Sequence, residues 1–281
     1  MSRGKLRAIK KKVEATRSLM KITRAMEMVA RAKVRKLERE FRKFKEYMKE
    51  LERIKSKMDF KEIEHPLLKG YGKEVVLVIS SDMGLCGAFN TEIHKAAEER
   101  AKELADFHGY IVIGSRGVSH FRRDKLLKGY EKLYDMPDIK ISSEIASHIM
   151  SMVTDESVGK VDVVYGKFMN ALIQRPRVET LVPVEISGGD ENVEFEPDVG
   201  KMIDSFLYFY LSSKILSYMF ETKVSEYYAR QNAMKNATDN ANEMIRTLTL
   251  EYNKARQASI TQEIIEIVNG AEALKEIEEA G

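Results

Sequence analysis

From Val199 to Ala280 the chain reads VGKMIDSFLYFYLSSKILSYMFETKVSEYYARQNAMKNATDNANEMIRTLTLEYNKARQASITQEIIEIVNGAEALKEIEEA. No proline follows Pro197, and Gly270 is the one interior glycine after Gly200. A run so free of breakers predicts a single helix, about 120 Å long at 1.5 Å per residue. That is several times the diameter of a compact domain, so the remainder of the chain cannot cover it alone. What surrounds this rod decides what the protein does.

The other end answers it. Lys5 to Met58 contains neither proline nor glycine. Leu6, Ile9, Val13, Thr16, Met20, Thr23, Glu27, Ala30, Val34, Leu37, Phe41, Phe44, Met48 and Leu51 alternate three and four apart, the a/d spacing of a left-handed coiled coil. Thr16, Thr23 and Glu27 weaken the first half of this seam, where Met26 and Val29 widen the apolar stripe. The C-terminal run carries two registers. Met234, Thr238, Ala241, Ile245, Leu248, Tyr252 and Ala255 form the first, rich in small residues that admit a close partner helix. Ile260, Ile264, Ile267, Ala271 and Leu274 form the second. The two ends are expected to pair antiparallel, because one enters and the other leaves the segment between them. The shorter N-terminal helix, about 80 Å, leaves the isoleucine register overhanging to face another molecule.

All five prolines and nearly all glycines lie between these ends, which sets the division as 1–60 for the first helix, 71–190 for an inserted domain and 199–281 for the last helix. Val75–Ile79 is a continuous β-branched run of the kind buried on both faces. A turn at Ser80–Asn90 precedes a helix from Thr91 to about Phe107. Tyr110–Ile113 is a second strand, closed by Gly114–Gly117 and a short helix. Ser142 or Ser143 is read as the cap of a third helix ending near Val153. Val161–Tyr165 and Arg177–Ile186 are further strands, and Gly188–Asn192 is a polar loop. Strands alternating with helices predict a mainly parallel α/β, Rossmann-like sheet.

The totals exclude several classes. The 281 residues are 43% hydrophobic and 32% charged, with no apolar run long enough to span a bilayer. The first residues lack an apolar signal core, which suggests a cytoplasmic chain. A single cysteine, Cys86, allows no internal disulfide. The net charge of +3 hides an uneven spread, because residues 1–58 carry a surplus of fourteen positive charges while the last turns are acidic. A basic rod suits an acidic partner, including nucleic acid. A basic zipper, however, places its basic region ahead of its apolar seam, whereas here the two interleave.

Signs of catalysis are weak. Ser81–Gly87 sits between a strand and a helix, where a phosphate loop would lie, but lacks the Gly-Lys-Ser/Thr ending and the third glycine of a dinucleotide fingerprint. It reads as a structural turn, with Cys86 a buried thiol. His65, His94, His108, His120 and His148 form no metal-ligand spacing. No catalytic residue, cofactor site or metal site is expected.

Four stretches nevertheless have a distinctive look. Lys21–Ala30 (KITRAMEMVA), Ser81–Asn90 (SDMGLCGAFN), Ala233–Asn240 (AMKNATDN) and Tyr252–Glu263 (YNKARQASITQE) resemble the gamma subunit of F-type ATP synthase, in the same order along the whole chain. The resemblance implies a non-catalytic central-stalk rotor. Its antiparallel coiled coil would turn inside a ring of alternating alpha and beta subunits and carry torque from an ion-driven ring of c subunits. Epsilon would bind near its foot, with no membrane insertion and no nucleic acid, on the cytoplasmic face of the membrane. It also implies that Arg24 and Met26 face the beta levers. Arg256 and Gln257 would reach a beta catch loop, and Ile264, Ile267, Val268 and Leu274 would form a tip in an apolar bearing. The foot would include Phe195 to Tyr210 and the helix from Phe41 to Leu51. Met83 departs from the family pattern, which has a basic residue there. The acidic tail from Lys275 extends past the family's usual end, and no redox-regulatory cysteine pair is present.

Overall fold

The computed structural model describes residues 3–58, 60, 63–70, 72–132, 136–185 and 199–279, except for the side chains of residues 3, 201 and 272–279. Its elements run α1 (Arg3–Lys57), α2 (Pro66–Lys69), β1 (Glu74–Ile79), α3 (Phe89–Glu103), β2 (Phe107–Ile113), α4 (Ser115–Phe121), β3 (Leu126–Tyr130), α5 (Ile139–Thr154), β4 (Lys160–Phe168), β5 (Gln174–Val182) and α6 (Val199–Glu279). Contacts divide the chain into two units. One joins residues 1–28 with 234–281, and the other is residues 29–233.

In the larger unit the five strands are ordered β3-β2-β1-β4-β5. Every neighbouring pair is parallel except β4 with β5, which is antiparallel. Successive side chains of a strand point to opposite faces, and here both faces are covered. Val75, Leu77, Ile79, Ile111, Ile113, Val161, Val163 and Tyr165 pack with α5 and with α6 residues such as Leu207, Leu211 and Ile215. Val76, Val78, Tyr110, Val112 and Val164 pack with Ile93, Ala97 and Phe121 of α3 and α4. This double burial is why β1 reads as an unbroken apolar run. Gly114 closes β2 with a φ of +100°, and a Cβ there would come within 2.4 Å of Ser80 O, so the turn requires glycine.

Residues 29–57 of α1 pack along α6 in the same unit. Ala30, Val34, Leu37 and Phe41 bury against Leu216, Phe220, Val224 and Tyr227. Phe41 and Phe220 stack at 5.7 Å between ring centroids, and Tyr228 Oη donates to Glu38 Oε1 at 2.8 Å.

Polar pins fix the sheet to α6. Tyr165 and Tyr218 donate to the two oxygens of Glu179 at 2.7 and 3.0 Å. Burial raises both phenols above their usual range, and the Glu179 carboxylate adds to it. Gly166 N donates to Thr222 Oγ1 at 3.2 Å. Within α6 itself, Lys223 and Arg230 pair with Glu226 at 3.1 and 2.7 Å, all three side chains buried.

Some boundaries differ from the sequence reading. Helix α3 starts at Phe89 and stops at Glu103, because Leu104 turns extended and Phe107 is already in β2. The cap of α5 is Asp138, accepting from Lys140 N, while Ser142 lies buried inside the helix and bonds Ile139 O. Strand β3 went unread, and β5 begins at Gln174 rather than Arg177. Short α2 also went unread; it is capped by His65 Nδ1, which accepts from Leu67 N at 3.1 Å. Ile186, the loop Gly188–Asn192 and Phe195 lie outside the described residues.

Candidate partner-binding shaft

The smaller unit is a pair of helices: α1 up to Met28 and α6 from Met234. Thr23 Oγ1 meets Thr238 Oγ1 at 2.8 Å, and Thr16 Oγ1 lies 3.8 Å from Met244 Sδ. Rising α1 numbers match falling α6 numbers, so the pair is antiparallel. Ile9 and Thr23 are buried from one side, and Met234, Thr238, Ala241, Ala255 and Ser259 from the other. Leu6, Val13, Thr16, Met20, Ile245, Leu248 and Tyr252 are half-buried. The seam therefore follows the heptad positions on α1 and the first register on α6. Lys10, Val13, Glu14, Arg17, Thr249 and Tyr252 line a shallow groove of about 200 Å³ between the helices.

Outside this seam most described residues of the unit are exposed. Arg24 is exposed and Met26 half-buried on α1. Arg256 and Gln257 are exposed on α6, beside buried Ala255. Arg24 and Met26 lie level with the Thr238 turn, and Arg256 stands five turns further along α6, about 27 Å away at 1.5 Å per residue. The candidate residues thus form two separate groups. Ile264, Ile267 and Val268 are 56, 72 and 49% exposed, as is nearby Ile260 at 48%. They recur at helical spacing, so they make an apolar face that no other described residue covers. Leu274 lies in α6, but its side chain is outside the described set.

The Ser81–Gly87 turn is built as a structural element. Asp82 Oδ1 accepts from Ser115 N, Ser115 Oγ and Lys132 N at 2.9, 2.9 and 3.1 Å, which caps α4 and ends β3. Cys86 is buried, accepts from Asn90 Nδ2 at 3.3 Å, and burial pushes its thiol up. Arg230, 3% exposed, donates to Met83 O and Gly84 O at 3.1 and 3.2 Å. The sequence reading missed Arg230 and Glu226. Their signal was a charged triplet, Lys223, Glu226 and Arg230, spaced three and four apart inside an aromatic-rich stretch of α6.

Among the described residues no group of three His, Cys, Asp or Glu side chains is placed to hold a metal ion, and no helix is long and apolar enough to cross a membrane. His94 and His120 stack at 4.4 Å, and His120 Nε2 meets Glu98 Oε1 at 2.6 Å. Burial, then the neighbouring His120, lowers the His94 imidazole to about 4, with Glu98 opposing.

Comparison with known proteins decides the family. A family model described as ATP synthase matches residues 5–274. The ATP synthase gamma chain of Cyanothece sp. is 34% identical, over 96% of this chain and 99% of that protein. The chain belongs to the ATP synthase gamma chain family. The gamma chain of Acaryochloris marina matches at the same 34% identity and the same coverage. These relatives give no support to the nucleic-acid reading. The fold agrees with two solved states of the Euglena gracilis mitochondrial ATP synthase. One is its rotor in rotational state 1, with TM-score 0.69 and 18% identity over 92% of this chain and 100% of that one. The other is the assembly of OSCP, F1 and c-ring in rotational state 3, with TM-score 0.71 and 18% identity over 97% of this chain and 95% of that one.

Proposed function

We propose that this chain is the central-stalk rotor of an F-type ATP synthase, carrying torque between an ion-driven c-subunit ring and a catalytic ring of alpha and beta subunits. Residues 1–60 and 199–281 act as the shaft, and 71–190 as the body that epsilon binds. The chain performs no chemistry itself and needs no cofactor. It works as a peripheral subunit on the cytoplasmic face of the membrane.

The observation that carries this reading is the exposed isoleucine face of α6 beyond its paired seam. Leaving Ile264, Ile267 and Val268 in water is unfavourable by roughly 25 cal/mol per Å² of apolar surface, so a partner that encloses them gains that amount. Burial has little directional preference, which suits a tip that must slide in its sleeve. Arg256 offers a planar fork to a beta carboxylate. Arg24 and Met26 offer a charge and an apolar surface to the beta levers. Two paired helices resist bending and twisting better than one, and their unequal faces let one turn present different contacts to three catalytic sites in succession.

The test is assembly with alpha and beta subunits, with ATP hydrolysis measured with and without the chain. The reading predicts a co-purifying complex whose hydrolysis depends on the chain. Failure to co-assemble contradicts it. A lysine at Met26 is expected to impair coupling more than folding, and normal ATP synthesis by that variant would argue against the lever contact.

A further inference from the structure

The geometry points to the Thr23–Thr238 pair as the pin that sets the register of the two shaft helices, and so as a positioning pair for the faces the shaft presents. Both side chains are buried, at 6 and 7% exposure, and their oxygens are 2.8 Å apart. Each hydroxyl also lies within reach of its own helix, Thr23 Oγ1 at 3.0 Å from Met20 O and Thr238 Oγ1 at 2.8 Å from Met234 O. Whichever hydroxyl donates across the seam, the other donates to its own backbone carbonyl. Both protons are therefore used in either arrangement, and no buried donor is stranded.

The rest of this seam specifies register poorly. Buried Ala241, Ala255 and Ser259 are small and offer shallow holes, Ile9 and Met234 are the large buried residues besides the pair, and Val13, Met20 and Leu248 are only half-buried. Apolar contact tolerates sliding, whereas a hydrogen bond holds within a few tenths of an ångström of its preferred length. A slip of one residue moves a helix about 1.5 Å and breaks the pair. A polar residue at one core position is a known means of fixing coiled-coil register. Thr16 contributes less, because its hydroxyl bonds Lys12 O at 2.9 Å and reaches Met244 Sδ only at 3.8 Å. The pin lies next to Arg24 and within one turn of Met26, so it decides which α6 residues stand beside them.

The test uses the full chain with spin labels on exposed Lys11 and Asn253. Valine at both threonines keeps the shape and removes the hydroxyls; serine at both keeps the hydroxyls. The wild type and the Thr23→Ser/Thr238→Ser chain are expected to give one narrow interlabel distance. The Thr23→Val/Thr238→Val chain is expected to broaden, or to gain a population displaced by about one turn, ~5 Å, without a lower melting temperature. A narrow, unshifted distance in the valine pair overturns the proposal. So does equal broadening in the serine pair, which would assign register to the methyl groups. The positioning role, which rests on the rotor reading, is tested in membrane vesicles holding the assembled complex. The valine pair should keep ATP hydrolysis and lose ion uptake per ATP, while the serine pair keeps both. Lost register with unchanged uptake overturns the positioning role. If the wild-type complex itself shows no uptake, the rotor reading fails while the distance measurement still decides the register.

Discussion

From Ile203 to Arg230, α6 is buried on most sides, and its contacts are Phe206, Leu207, Tyr210, Leu211, Ile215, Tyr218, Met219, Phe220 and Tyr227. From Asp239 to Ala271 it buries Ala241, Ala255 and Ser259 and leaves most other residues in solvent. One helix therefore uses two vocabularies. The first is bulky and aromatic and supplies stability from within the chain. The second buries mainly small residues along its seam and, among the described residues, leaves an apolar face uncovered. The difference teaches that a helix too long for its own domain can be stable in one half and presented in the other.

The largest effect that sharpens this contrast is expected at Glu226. Its removal takes the carboxylate counter-charge from buried Lys223 and Arg230, so Glu226→Ala should destabilise residues 29–233 by about 3–5 kcal/mol, measured by urea unfolding. A loss under about 1 kcal/mol, the scale of an exposed pair, would mean these charges behave as surface residues. Next comes Leu211→Ala at a fully buried site, expected to cost about 2–5 kcal/mol. Leu248→Ala, at a half-buried seam position, should cost less than half as much by the same assay. Equal costs would break the contrast between the two stretches.

Acid should act on the larger unit through His94. An unfolded imidazole titrates near 6.5 and this one at about 4, so between those values the unfolded chain binds the extra proton. Stability is therefore full above pH 6.5 and is lost as pH falls toward 4. His148, lowered first by burial and then by Lys128 against Glu144, adds in the same direction. His94→Phe should flatten this slope in thermal melts across that range, and an unchanged slope would remove His94 from the account. His120 and Glu98, which face the ring from α4 and α3, stay in place in that variant.

The smallest effect on folding belongs to the apolar tip. Ile264→Asp or Ile267→Asp should shift the stability of the isolated chain by under about 0.5 kcal/mol, because both side chains are exposed. The same changes should weaken assembly with alpha and beta subunits more than an aspartate at exposed Lys254 does. Equal effects in co-purification would contradict an apolar bearing.

Much of this was readable from residues alone. Every α1 seam position from Leu6 to Leu51 is buried or half-buried, because a/d spacing is a geometric property of one helix. Strands β1, β2 and β4 were readable because burial on both faces demands continuous apolar runs. Strand β3, Leu126–Tyr130, was not, since an edge strand covered on few sides tolerates Lys128 and Gly129. The α5 cap was misplaced because Ser142 satisfies its hydroxyl within the helix, and local sequence does not distinguish that from capping. The Arg230 clamp on Met83 and Gly84 was invisible for a different reason: its acceptors are backbone carbonyls far away in sequence. Among the candidate shaft residues, the isoleucine face was legible from its second register, whereas Arg24, Met26, Arg256 and Gln257 entered through the family motifs.

In the proposed rotor the paired helices turn within a ring built by other subunits. The direct measurement anchors the alpha–beta ring to a surface and fixes a bead to a cysteine placed at exposed Lys128 of β3. Addition of ATP should drive the bead around in one direction. A bead that stays still while the same complexes hydrolyse ATP would contradict the account.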